Sequence, residues 1–226
     1  MATATIAPVS VYSCVTLEGV DWETYTKLRD EPANDRIRMT YLDGTLIQMS
    51  PEIIHDRDIY LFDVLILGVA AGHGLGSMGI RSATLRRAGD APIKGSGKEP
   101  DAAFYIGENE RRLRGRKDLD LAVDPPPDLA IEIENKHDAE LGLPVYARIG
   151  VPELWRYDVR RRSLWFGRLD DNHYREVDRS VILPRLTPSL VLEALDARDE
   201  NDRGDFDWLV WLTGWARALP EPPAAA

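Results

Sequence analysis

Chemistry in this sequence concentrates in two places: the run Asp128 to Glu134 (DLAIEIE), and Asp101, which follows Pro100 and opens DAAFYI. Glu132 sits among Leu, Ala and Ile, where an unpaired carboxylate is costly to desolvate. Strand alternation puts Glu132 and Glu134 on one face with Asp128 and Ala130, and turns Leu129, Ile131 and Ile133 to the core. Acids sharing a face repel one another unless a cation stands among them. If the strand opened by Asp101 pairs with the one carrying Glu132, two carboxylates meet. Oxygen-only ligands suit Mg²⁺ or Mn²⁺ better than Zn²⁺, whose Cys and His ligands are not grouped here. A metal held by carboxylates with open positions activates water and neutralises a phosphodiester transition state. The plainer alternative is a set of strand-end acids, with Glu134 opening a loop and Glu132 satisfied by Arg rather than by metal.

Positioning these acids requires strands flanked by helices, and the pattern supplies them. Asp21 caps a short amphipathic helix ending at Arg29. Two β-rich runs from Arg36 to Ser50 flank Asp43-Gly44, a hairpin turn signal. Ser50 to Gly72 reads as the main helix, stopped by Gly72 and Gly74. Ser77 to Arg87 alternates as one strand, Gly89 to Gly97 reads as a flexible loop, and Asp101 to Ile106 returns as a strand. Glu108 to Asp120 is charged and reads as a solvated excursion. Beyond the 128–134 strand, the pattern predicts a helix over 139–149, strands over 153–158, 163–168 and 173–177, and a helix over 189–195. A final helix over 206–219 aligns Trp208, Trp211, Leu212 and Trp215 on one face, to be covered by the chain's own core or, as second choice, by a homodimer.

Bulk properties limit the function classes. The chain has 226 residues, 44% hydrophobic and 29% charged, which suits one folded domain. Residues 1–15 and 220–226 are expected to be loose tails, with the domain over 16–200 and the aromatic helix over 201–219. The longest apolar stretch, Ile59 to Ala71, is broken by Asp63 and falls short of the ~20 residues a membrane span needs. Met1 to Ser10 lacks the basic start of a secretory signal. A single cysteine, Cys14, fits a reducing cytoplasm. The net charge of -10 opposes sequence-independent binding to nucleic acid, although a cleft can differ in sign from the whole surface.

Five segments then carry a family resemblance, in order over about Arg38 to Leu195: YLDGTLIQMSPEIIH, KEPDAAFYI, PPDLAIEIE, YARIGVPELWRYD and LPRLTPSLVLEAL. Together they resemble the Uma-two family of restriction-endonuclease-like proteins, within the PD-(D/E)xK nuclease superfamily. The resemblance implies an α/β domain with a restriction-endonuclease-like mixed sheet flanked by helices. It also implies Mg²⁺ (or Mn²⁺) on Asp101 and Glu132, and nucleic acid, DNA before RNA, as the substrate.

Departures from the family pattern leave two readings open. The superfamily asks for Lys two residues after the catalytic acid, and Glu134 stands there. In many relatives that lysine has moved to the next helix, where this chain has Gly142. Lys136, on the same face as Glu132 by parity, is the expected substitute, and Glu134 remains in the candidate set by position. His55 matches the family's helix-start histidine and could contact phosphate or a metal-bound water, or simply cap the helix. His73 reads as a helix-end residue, and the Arg111 to Lys117 run as a solvated face. One reading is therefore a Mg²⁺-dependent endonuclease. The other is a nuclease fold that has lost its chemistry and serves in binding or assembly.

Overall fold

Asp43 and Gly44 both take positive φ, 44° and 96°, the conformation a two-residue hairpin requires. In the computed structural model, which describes residues 14–49, 53–81, 83–134, 142–200 and 204–222, this turn organises the first sheet. Strand β1 (Cys14–Leu17) precedes helix α1 (Trp22–Asp30), and the hairpin joins β2 (Arg38–Leu42) to β3 (Thr45–Met49). Asp21 caps α1 by accepting from the Thr24 N–H at 2.7 Å, satisfying a donor that has no partner within the helix. The long helix α2 (Ile53–Gly72) follows.

The next stretch departs from the sequence reading. Residues 77–87 do not form one strand: β4 (Ser77–Ile80) and β5 (Leu85–Ala88) belong to different sheets. The expected loop over 89–97 ends in a strand, β6 (Gly95–Lys98), buried along its whole length. Gly and Ser are poor strand formers, which hides it. The glycines answer to packing instead, since a Cβ at Gly95 would run into the Trp22 ring and one at Gly97 into Tyr25. Strand β7 (Ala102–Ile106) then leads to α3 (Glu108–Leu113). The charged excursion is thus partly anchored, because α3 buries Glu110 and Leu113.

Strand β8 (Leu129–Glu134) carries the embedded acids. Helix α4 (Gly142–Ile149) follows, and residues 139–141 of the expected helix lie outside the described residues. Its Pro144 falls in the first turn, where a missing N–H costs nothing. Strands β9 (Glu153–Asp158), β10 (Ser163–Asp170) and β11 (His173–Glu176) and helices α5 (Pro188–Glu200) and α6 (Asp205–Ala218) complete the chain.

Two sheets result, one of five strands in the order β1-β3-β2-β6-β5 and one of six in the order β11-β10-β9-β8-β7-β4. The larger is mixed: β8 and β9 run parallel and its other pairs antiparallel. This is the expected mixed sheet flanked by helices, and the second sheet is an addition to it. One face of the large sheet, through Phe104, Leu129, Ile131, Ile133 and Trp155, packs on α2, α5 and α6. Trp208 of α6 is fully buried there and donates to the Ala194 carbonyl at 3.0 Å. The other face, through Ala103, Ala130 and Leu154, packs with Val145, Tyr146 and Ile149 of α4 and with Leu85 of the small sheet. Helix α4 therefore lies between the sheets. Beneath the small sheet, Tyr25 of α1 stacks on Tyr41 of β2 with ring centroids 4.7 Å apart. Among the described residues no helix is long and apolar enough to cross a membrane.

Candidate active site

The layer between the sheets is where the embedded acids open. Ala102 pairs with Ile131 across β7 and β8, and Asp101 stands one residue before that pair. Its Oδ2 accepts from the Ile133 N–H at 2.8 Å, which fixes the carboxylate against the segment that bears Glu132. Arg38 of β2 reaches the same place, with Nη1 3.2 Å from the Pro100 carbonyl it donates to and 3.5 Å from Asp101 Oδ1. Burial and the charge of Glu132 together push the Asp101 carboxyl up to about 6, against the opposing pull of the Ile133 N–H, Arg38 and Lys98. Burial is the larger of the two causes and the like charge of Glu132 the second, so the two carboxylates lie close enough to act on one another.

Glu132 is engaged at both oxygens. The Tyr146 hydroxyl of α4 donates to Oε1. Burial and the Glu132 charge hold that phenol well above the ordinary tyrosine range, so it remains a protonated donor. The Lys98 ammonium lies 3.2 Å from Oε2 and 5.8 Å from the centroid of the Tyr146 ring. Lys98 is only 9% exposed, and its strand is held on both sides, with Thr40 of β2 and Leu85 of β5 as its partners in register.

The connector from Lys98 to Asp101 is itself fastened. Glu99 accepts a salt bridge from Arg29 of α1 at 2.8 Å, both side chains nearly buried, and a hydrogen bond from the Thr84 hydroxyl at 3.2 Å. Burial raises the Glu99 carboxyl, with Arg29 and Thr84 pulling the other way.

Other candidates from the sequence fall elsewhere. Glu134, at the position where the superfamily keeps lysine, forms a 2.5 Å ion pair with Arg156 Nε of β9. That guanidinium also lies over the Trp165 ring, 5.8 Å from its centroid. The charge reversal at this position is thus absorbed locally. Lys136 lies outside the described residues, as does the side chain of His55, whose backbone belongs to the first turn of α2. His73 follows the end of α2, where burial and Arg185 lower its pKa.

One site residue, Lys98, and one buried structural acid, Glu153, were not singled out by sequence reasoning. Lys98 lay at the edge of a segment read as loop, and only the alternate glycines Gly95 and Gly97 beside it could have signalled tight packing. Glu153, in the Gly-Val-Pro-Glu-x-Trp turn, is fully buried and accepts from Trp155 Nε1 at 2.5 Å and from the Val181 and Ile182 N–H groups at 2.7 and 2.9 Å. It is a structural acid that ties the 180–183 loop to the start of β9.

The donor set fits a hard dication: two neighbouring carboxylates, each also facing a cationic side chain, and among the described residues no sulfur or imidazole ligand beside them. Among the described residues no cluster of three or more His, Cys, Asp or Glu side chains has metal-binding geometry. Comparison with known proteins agrees in kind. The family model Uma2, described as "putative restriction endonuclease", matches residues 22–198. No curated protein matches the chain. The matched range covers the whole large sheet, four of the five strands of the small one and every element of the acid pair, and the chain belongs to that family.

Proposed function

We propose that this protein is a divalent-metal-dependent hydrolase of nucleic-acid phosphodiester bonds, with DNA as the first substrate to test and Asp101 and Glu132 as the metal-binding pair. The observation that carries the reading is the approach of two largely shielded carboxylates, Asp101 just before β7 and Glu132 on β8, with Asp101 pushed up to about 6 by burial first and by Glu132 second. A fold gains nothing in stability from such a repulsion, and functional sites are where it is retained. Membership of a family described as "putative restriction endonuclease" supports the substrate class.

A Mg²⁺ or Mn²⁺ ion at this pair would supply charge neutralisation at the phosphate and a more acidic water. The protein's own groups set the stage. The Ile133 N–H orients Asp101 and the Tyr146 hydroxyl orients Glu132. Arg38, whose side chain is 31% exposed, stands beside the acids as a phosphate contact. The layer of α4 side chains beneath them excludes bulk water from one side.

Incubating the purified protein with Mg²⁺ or Mn²⁺ and single-stranded DNA, double-stranded DNA and RNA tests the proposal. Metal-dependent cleavage that disappears in Glu132→Ala is expected, and intact substrates throughout overturn it. A second reading, a nuclease fold retained for binding or assembly, is favoured by the Glu134–Arg156 pair that fills the usual lysine position and by the net charge of -10. Calorimetric titration with Mn²⁺ separates the two, since binding that depends on Asp101 and Glu132 belongs to the first alone.

A further inference from the structure

We infer that Lys98 supplies the cation that the sequence motif lacks, delivered from β6 of the small sheet rather than from β8 or α4. This rests on the metal-dependent reading above and adds to it the group that meets the charge of the attacking water. The lysine position of the motif is Glu134, already bound to Arg156, and the alternative on α4 is Gly142. Lys98 reaches Glu132 from the opposite layer at 3.2 Å.

Three observations mark it as more than a surface charge. An ammonium that is 9% exposed gives up most of its hydration, which a protein tolerates only where the charge is paired. Its backbone is fixed by paired strands on both sides, so the amine is placed before any ligand arrives. The Tyr146 hydroxyl donates to the same carboxylate and its ring lies 5.8 Å from the Lys98 ammonium, holding Glu132 and Lys98 in one arrangement.

In hydrolysis the water oxygen bonds to phosphorus and the P–O bond to the departing sugar oxygen breaks. One water proton passes to solvent, and the departing oxygen takes up one proton from solvent. Lys98 stays protonated throughout. It holds the negative charge that gathers on the attacking oxygen, while Glu132 keeps the ammonium in place.

Lys98→Met keeps the length and apolar packing of the side chain and removes its charge. The expected result is a fall in kcat of about 100-fold or more with KM changed less than about threefold, as for loss of one preorganised charge at a transition state. Mn²⁺ affinity measured by calorimetry is expected to rise about fivefold or more, because a competing positive charge has left the acids. Lys98→Arg should return the affinity to the wild-type value and recover part of the rate. Circular dichroism confirms the fold of both variants. Simple structural damage would lower metal affinity together with rate, and that outcome overturns the inference. So does unchanged cleavage in Lys98→Met, or loss of cleavage in Lys136→Met alone; in these cases the nuclease reading stands. If wild type binds no Mn²⁺ and Lys98→Met does, the ammonium occupies the place of the metal, and both proposals fall. If neither binds Mn²⁺, both fall as well.

Discussion

Removing the charge of Asp101 should make the metal-free protein more stable. In chelator-treated protein the Asp101 carboxyl titrates at about 6 against an ordinary value of 3.8, because it is buried and faces Glu132. At ~1.4 kcal/mol per pKa unit, ionising it in the folded state costs about 3 kcal/mol at neutral pH. Asn is nearly isosteric with the protonated acid and keeps an acceptor for the Ile133 N–H. Its amino group must still find room where the second oxygen stood, which lowers the expected gain for Asp101→Asn to about 1–2 kcal/mol. For a chain of this size each kcal/mol moves Tm by roughly 2–4 °C, so a rise of roughly 2–8 °C is expected at pH 7. The sign of the pH dependence is fixed by the direction of the shift. An acid raised on folding binds more protons in the native than in the unfolded state. Its burden on stability is therefore absent below about 4, grows as pH rises to about 6, and stays constant above. Thermal melts of the two proteins at pH 4 and pH 7 should accordingly converge at the lower value. A variant no more stable than wild type at pH 7, or a gap of equal size at both pH values, refutes the account of the acid pair.

Other perturbations follow from the same geometry. Glu153→Ala strips three donors of their acceptor and should cost about 2–5 kcal/mol in urea unfolding, with Glu153→Gln costing less; a loss under about 1 kcal/mol contradicts the assigned role. Gly68→Ala sets a helix-propensity gain of about 1 kcal/mol against a Cβ placed 2.7 Å from the Leu212 Cβ. Overpacking of about 1–3 kcal/mol should win, so a stabilised variant contradicts the close crossing of α2 and α6. His73 is held below its ordinary 6.5 by burial and Arg185, so the unfolded chain takes up its proton first on acidification. The His73 contribution to stability should therefore decline as pH falls below 6.5, and in thermal melts His73→Gln should gain on wild type over that range.

Much of the fold was readable where local chemistry and tertiary packing agree. Asp43-Gly44, the long α2 and the β9 to β11 run all obey the periodicity their surroundings require. The failures cluster in residues 77–98. Alternation from Ser77 to Arg87 cannot reveal that the chain changes sheets at 81–84, because both strands are half-buried. Gly95 to Gly97 reads as loop because its glycines answer to the rings of Trp22 and Tyr25, which lie some 70 residues earlier in the chain. At the site, Glu132 was conspicuous as an acid inside an apolar run. Lys98 was not, since nothing local connects it with a carboxylate on another sheet.

The step from one sheet to the other acts as a measuring rod. Lys98 belongs to the small sheet and Asp101 borders the large one, with only Glu99 and Pro100 between them, clamped by Arg29 and by Arg38. A strand reverses the direction of its side chains with each residue. Residues 99 and 100 lie between the strands, so a residue added or deleted here must be absorbed by a slip of β6 or by a displacement of Asp101; a one-residue slip of β6 points the ammonium away from Glu132 while leaving every side chain of the site chemically unchanged. Length at this connector is as much a part of the site as the identity of the residues it joins.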